Sequence, residues 1–175
     1  MQVLKPAIFL CWLLIISCAP RPAATGGKLN WMTLQEVENG LQKEVRPVLI
    51  DLYTDWCGWC KVMDKKTYAD KNVSSYLQQK FYTVKVDAES RSAISWQGKT
   101  YAYNTGYRTN DFAVYLTKGE LAYPTTVIIP PDGEPQAIPG FLSPNEMELI
   151  VKYFGEGNFG KVSFETFQKS FKSGW

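Results

Sequence analysis

Cys57 and Cys60 are separated by two residues in Cys57-Gly58-Trp59-Cys60, and thiols at that spacing suit two kinds of chemistry. They can cycle between dithiol and disulfide, or they can supply part of a metal site. The chain has no histidine and four cysteines, the other two being Cys11 and Cys18. That excludes Ser-His and Cys-His catalysis, histidine-ligated zinc or copper, and covalent haem attachment. A bare structural disulfide is the plain alternative to a redox pair. Asp51 is the second residue of interest, because it is the one charge in the apolar run Val48-Leu49-Ile50-Asp51-Leu52-Tyr53. Desolvation should raise its pKa, which suits a proton acceptor for a neighbouring thiol. The alternative is a polar pocket at a strand edge.

The elements that must position these residues can be read around them. Length (175 residues) and a 45% apolar fraction allow one domain with a proper core. A net charge of +2 without a single-sign run gives no footprint for nucleic acid. Thr33 and Glu36 form a capping box for a helix with Leu34, Val37, Leu41 and Val45 on one stripe, ended by Pro47. Val48 to Tyr53 is expected to be a buried central strand, leading directly into the cysteine motif and a helix over Lys61 to Tyr68. Asp70 caps a further helical piece carrying Val73, Tyr76 and Leu77, and Phe81 to Val86 alternates as a second strand. Residues 88 to 123 are the least regular, with a short helix near Thr109 that turns Phe112, Tyr115 and Leu116 inward. Thr125 to Ile129 and Glu134 to Ile138 flank a Pro131-Asp132-Gly133 turn. Ser143 and Glu146 then open a helix with Met147, Ile150, Val151 and Phe154 buried. Strands alternating with helices imply an α/β layer fold with a partly parallel sheet.

The N-terminus reads as targeting. Ala7 to Ile16 is an apolar run too short to span a bilayer comfortably, and it has the form of a signal-peptide core. Ile15-Ile16-Ser17-Cys18 resembles the bacterial lipobox. The resemblance implies that residues 1–17 are removed, that Cys18 becomes the lipidated first residue, and that 18–30 form a tether rich in Pro, Gly and Ala. An ordinary signal peptide with a coincidental cysteine is the competing reading. By resemblance to known lipoprotein sorting rules, the lack of an Asp after Cys18 favours the outer membrane over the inner. Cys57, Cys60 and Cys18 cannot make a four-ligand zinc site, so no metal and no cofactor is expected.

The stretch from Leu49 to Lys61 resembles the active-site segment of the thioredoxin-like family, and Tyr123-Pro124-Thr125-Thr126 is similar to its cis-proline loop. The likeness covers about residues 31–155. It implies a thioredoxin fold, a mixed central sheet flanked by helices, with an insertion at about 92–120. The subgroup it suggests is the secreted bacterial lipoprotein thiol-disulfide oxidoreductases, here with a Cys-Gly-Trp-Cys motif. Cys57 would be the exposed nucleophile at a helix N-terminus and Cys60 the more buried resolver. Asp51 would lie beneath them, and Pro124 would be cis, its flanking backbone pairing with an extended substrate. Trp56, Gly58, Trp59, Tyr123 and Thr125 complete the expected substrate contacts, with core packing the alternative for Trp56. Asp55 and Lys61 read as a solvated charge pair.

The resemblance also implies an extracytoplasmic monomer acting on disulfides or thiols of client proteins. A reductase in an oxidising periplasm would draw electrons from a membrane donor protein. Oxidase, isomerase and non-catalytic peptide-binding roles are alternatives, and copper handling is disfavoured because no histidine is present. The insertion is either a packed edge subdomain, which is favoured, or a lid. The tail from 156 to 175, with Phe164, Phe167 and Phe171 on one face, is expected to dock on the domain rather than on a membrane.

Overall fold

A computed structural model describes residues 28–175, so Cys11, Cys18, the leader and the tether up to residue 27 lie outside the described residues. In chain order the elements are α1 (Leu34–Leu41), β1 (Val48–Tyr53), α2 (Gly58–Met63), a π-helical turn (Asp64–Tyr68) and α3 (Lys71–Lys80). There follow β2 (Tyr82–Asp87), β3 (Ile94–Trp96), β4 (Lys99–Tyr101), β5 (Tyr103–Asn104), β6 (Thr109–Asn110) and α4 (Asp111–Thr117). β7 (Thr125–Ile129), β8 (Gln136–Pro139), α5 (Pro144–Gly155) and α6 (Phe164–Ser170) complete the chain.

The main sheet has the order β2-β1-β7-β8. β1 runs parallel to β2 and antiparallel to β7, and β7 pairs antiparallel with β8. Five of the six β1 residues are buried, because both faces of this strand are covered. On one face Val48, Ile50 and Leu52 pack with Val84, Val127, Val37 of α1 and Phe112 of α4. On the other, Leu49 and Ile128 pack with Met63, Val73, Leu77, Met147 and Val151 from α2, α3 and α5. Alternation along β1 therefore places Asp51 on the same face as Leu49, under α2 and the π turn.

The caps behave as their chemistry requires. Both capping boxes form, Thr33 with Glu36 and Ser143 with Glu146, and Asp70 accepts from the Asn72 and Val73 amides. The first helix is shorter than its apolar stripe suggests. It stops at Leu41, and Val45 is 70% exposed rather than part of the stripe, because the backbone leaves the helix well before Pro47.

Residues 88–110 form two small hairpins, β3–β4 and β5–β6, too short to leave a periodic signal. Trp96, Tyr101 and Phe112 are buried in the core next to β1, so this insertion is a packed subdomain. Fully buried Asn110 ties it down: its side-chain amide donates to the Ser90 and Ser92 carbonyls, and its oxygen caps α4 through the Phe112 amide.

Both flanks of the sheet are finished with short pieces. Met32 bridges to Val84 on the outer side of β2, and its amide donates to the Thr83 carbonyl (2.8 Å). β8, at the opposite side, is four residues long and ends in Pro139. The tail docks on α5. Tyr153 packs against Phe159, Phe164 and Phe167, and its hydroxyl donates to the Val162 carbonyl (2.7 Å). Trp175 packs on Tyr76 of α3, with the Lys152 ammonium 4.4 Å from its ring centre. Glu148, fully buried, accepts from Lys152 Nζ, Ser173 Oγ and the Gly174 amide.

Candidate active site

β1 ends at Tyr53, and four residues later Cys57 caps α2. Its backbone is extended (φ −69°, ψ 103°) and its Sγ accepts from the Cys60 amide at 3.1 Å. A cap position of this kind surrounds the sulfur with otherwise unpaired backbone N–H groups, which favour a thiolate. Cys60, one turn on, is joined to Cys57 in a disulfide with Cα atoms 5.3 Å apart. The expected difference in exposure is not present in this state: Cys57 and Cys60 are 4% and 3% exposed. Both cysteines are buried, so the cap position, not accessibility, distinguishes Cys57.

Asp51 is 1% exposed, and burial pushes its carboxyl up to about 6, against the attraction of Lys85. Its Oδ2 lies 3.0 Å from Lys85 Nζ, which is also 2.5 Å from Asp64 Oδ1. Burial alone would lower the Lys85 pKa, but Asp51 and Asp64 outweigh it and hold the ammonium above its ordinary value. The pairing register explains the contact, since Asp51 and Lys85 are direct partners across the parallel β1–β2 pair. Lys85 and Asp64 were not singled out in the sequence. Lys85 becomes visible only once the two strands are placed in register; Asp64 had a local signal, one helical turn after Cys60.

The Tyr123–Pro124 peptide is cis, at the start of β7, and the Pro124 carbonyl accepts from the Gly140 amide (2.8 Å). Thr125, the first residue of β7, is buried, and its hydroxyl donates to the Ala122 carbonyl. Gly58 follows Cys57 with open space where a Cβ would stand. Trp56 and Trp59 are 66% and 63% exposed, so the core-packing alternative for Trp56 does not hold. Trp56 meets Tyr123 edge-on at 5.9 Å, and its indole N–H donates to Glu89 (3.0 Å). Trp59 lies 5.6 Å from Phe141 in the β8–α5 loop. Glu89 and Phe141 had no sequence signal, because each comes from a loop distant in the chain. Asp55 and Lys61 are both exposed. Among the described residues no cluster of three His, Cys, Asp or Glu side chains could hold a metal ion.

A cap cysteine, a disulfide partner one turn later, a buried carboxylate on the same side of the sheet and a cis-proline loop form the arrangement expected of a thiol-exchange site. A family model described as Thioredox_DsbH, protein of unknown function, DUF255, matches residues 25–155. The chain belongs to that family. The fold of this Thioredox_DsbH member agrees with solved structures: a DsbH oxidoreductase (TM-score 0.55, 17% identity, 79% of this chain and 92% of that one) and a thioredoxin-fold protein from Helicobacter pylori (TM-score 0.55, 14% identity, 71% and 79%). Among curated proteins, a thioredoxin of Borreliella burgdorferi is 28% identical over 109 residues, 62% of this chain and 74% of its own length. The thiol:disulfide interchange protein DsbD of Pectobacterium atrosepticum is 37% identical over 46 residues, which is 26% of this chain and only 8% of that protein.

Proposed function

We propose that this thioredoxin-like protein is an extracytoplasmic thiol-disulfide oxidoreductase that reduces disulfides of client proteins, held to the cell envelope through a lipid on Cys18. The observation that carries the redox reading is Cys57 Sγ at the cap of α2, bonded to Cys60 and accepting its amide, on the same side of the sheet as buried Asp51. In the reduced protein the Cys57 thiolate attacks one sulfur of a client disulfide, forming a mixed disulfide and expelling the other sulfur as thiolate. Asp51 takes the proton from the Cys60 thiol, and the Cys60 thiolate attacks the Cys57 sulfur. The client leaves as a second thiolate, and the Cys57–Cys60 disulfide holds the two electrons' worth of oxidation.

Exposed Trp56 and Trp59, with Tyr123 and Phe141, supply an apolar surface around the sulfurs for an extended client segment. The lipobox-like segment supports a periplasm-facing anchor, with the outer membrane favoured. The partial likeness to the thiol:disulfide interchange protein DsbD supports disulfide exchange with a redox partner, which on this reading is a membrane electron donor. Among the described residues no helix is long and apolar enough to cross a membrane.

The test is the reduction potential of the Cys57–Cys60 pair, equilibrated against dithiol and glutathione buffers. A value near or below about −250 mV supports reduction of clients, and one above about −180 mV makes the protein an oxidase or isomerase. Absence of a reversible two-electron couple would leave a non-catalytic peptide-binding module. Mass spectrometry of the membrane form tests the anchor, and an unmodified Cys18 there overturns it.

A further inference from the structure

Lys85 is shared. Its ammonium is 2.5 Å from Asp64 and 3.0 Å from Asp51, two carboxylates that reach it from opposite environments. Asp51 is buried in the sheet, while the Asp64 side chain is 41% exposed at the start of the π turn that follows α2. Lys85 and Asp64 line a cleft of about 480 Å³ with Trp31, Lys65 and Tyr68, so water reaches the outer pair and not the inner carboxylate.

We propose that Asp64 is a positioning residue for proton transfer at Asp51, acting through the Lys85 ammonium that both carboxylates hold. Three groups in a row divide one positive charge between two negative ones. Asp64 draws Lys85 outward and adds a second negative charge near Asp51, and both effects disfavour ionised Asp51. Asp51 is therefore kept a stronger base than the same carboxylate with Lys85 to itself. The other groups that face Asp51 do not replace this effect. Tyr68 comes from the π turn with its hydroxyl 3.3 Å from that of Thr126, Tyr53 comes from β1, Thr126 of β7 stands opposite Asp51 in the sheet, and α2 on the same side carries the uncharged Cys57–Cys60 disulfide. Lys28 and Lys65 stand along the cleft around Lys85. The raised Asp51 carboxyl agrees with this arrangement, since Asp64 is among the causes that raise it and Lys85 among those that lower it.

The functional meaning rests on the redox reading above, but the test does not require turnover. The Asp51 side-chain carbon is followed by 13C NMR from pH 4 to 9 in the oxidised full chain, with Asp51→Asn to assign the signal. Asp64→Asn is expected to move the Asp51 midpoint down by roughly half to one pH unit. Lys85→Met is expected to move it up, and Asp64→Glu to restore it. An unchanged midpoint in a folded Asp64→Asn protein overturns the proposal and leaves Asp64 a surface ion pair that only steadies the helix. Asp64→Ser provides the same reading if the asparagine variant folds poorly. A second readout is the acid limb of single-turnover client reduction, which is expected to move the same way. Shifted midpoints without any client reduction would keep the role of Asp64 and remove the oxidoreductase reading instead.

Discussion

The rings of Trp59 and Phe141 lie 5.6 Å apart, one from the cysteine motif and the other from the loop that leads into α5. A second link ties the same two segments from below, where the buried Thr67 hydroxyl donates to the Leu142 carbonyl at 2.5 Å. The aromatic ledge beside the disulfide is thus held from two elements at once. Phe141→Ala is expected to lower kcat/KM about tenfold for a disulfide in an unfolded protein client, the loss of one well-placed aromatic contact. Reaction with a small disulfide that cannot span the ledge should stay within a factor of two of the native rate. Equal losses on both would assign Phe141 to the chemistry rather than to client binding.

Asp51 makes the fold less stable in the ionised state. Its carboxyl titrates near 6 in the folded protein against 3.8 as its ordinary value, so between those pH values the folded state binds more protons than the unfolded one. Stability from this group therefore falls as pH rises from about 4 to about 6, and stays reduced above that. The difference of about 2.2 units corresponds to roughly 3 kcal/mol. Asp51→Asn is expected to stabilise the protein at pH 8 by about 2 kcal/mol and by little at pH 4, measured by urea denaturation. The same variant should slow resolution of the mixed disulfide.

Glu148 behaves with the opposite sign. Burial would raise its pKa, but the bonds from Lys152, Ser173 and Gly174 prevail and hold it below the ordinary value. Its contribution is present above about pH 4.5 and is lost as pH falls through the lowered folded value. Glu148→Ala leaves three donors without their acceptor and is expected to cost roughly 2 kcal/mol or more. Trypsin cleavage after Lys169 and Lys172 should accelerate in that variant at pH 7. In the native protein, the tail should become sensitive to an acid-active protease on acidification.

Asn110→Ala tests the insertion. It removes two donors to the Ser90 and Ser92 carbonyls and the cap of α4 together, at an expected cost of about 2–3 kcal/mol. Amide exchange should rise across 88–110 first, ahead of β1 and β7.

What was legible in the sequence was local. The Val48 to Tyr53 run is apolar on both faces and carries the β-branched Val48 and Ile50, which fits a covered strand, and the capping boxes at Thr33 and Ser143 announce themselves within four residues. The odd charge at Asp51 carried its own meaning for the same reason. Pairing was not legible. Lys85 alternates with Val84 and Val86 as any half-exposed lysine would, and only the parallel register with β1 puts it against Asp51. Glu89 and Phe141 reach the site through tertiary contact alone. Val45 kept the helical spacing but lay beyond the end of the helix, where the pattern continues by chance. The π turn at Asp64–Tyr68 adds one residue to a helical ladder and leaves no periodic mark.

Both sides of the main sheet are blunted, one by the Met32 bridge beside β2 and the other by the brevity of β8 and its terminal Pro139. An unprotected strand is a template on which other chains add themselves, and aggregation begins there. A protein proposed to handle unfolded partners would meet that hazard at every encounter. Here the chain offers such partners aromatic rings and a reactive sulfur but little free backbone to join, which favours contacts that end when the sulfur chemistry does.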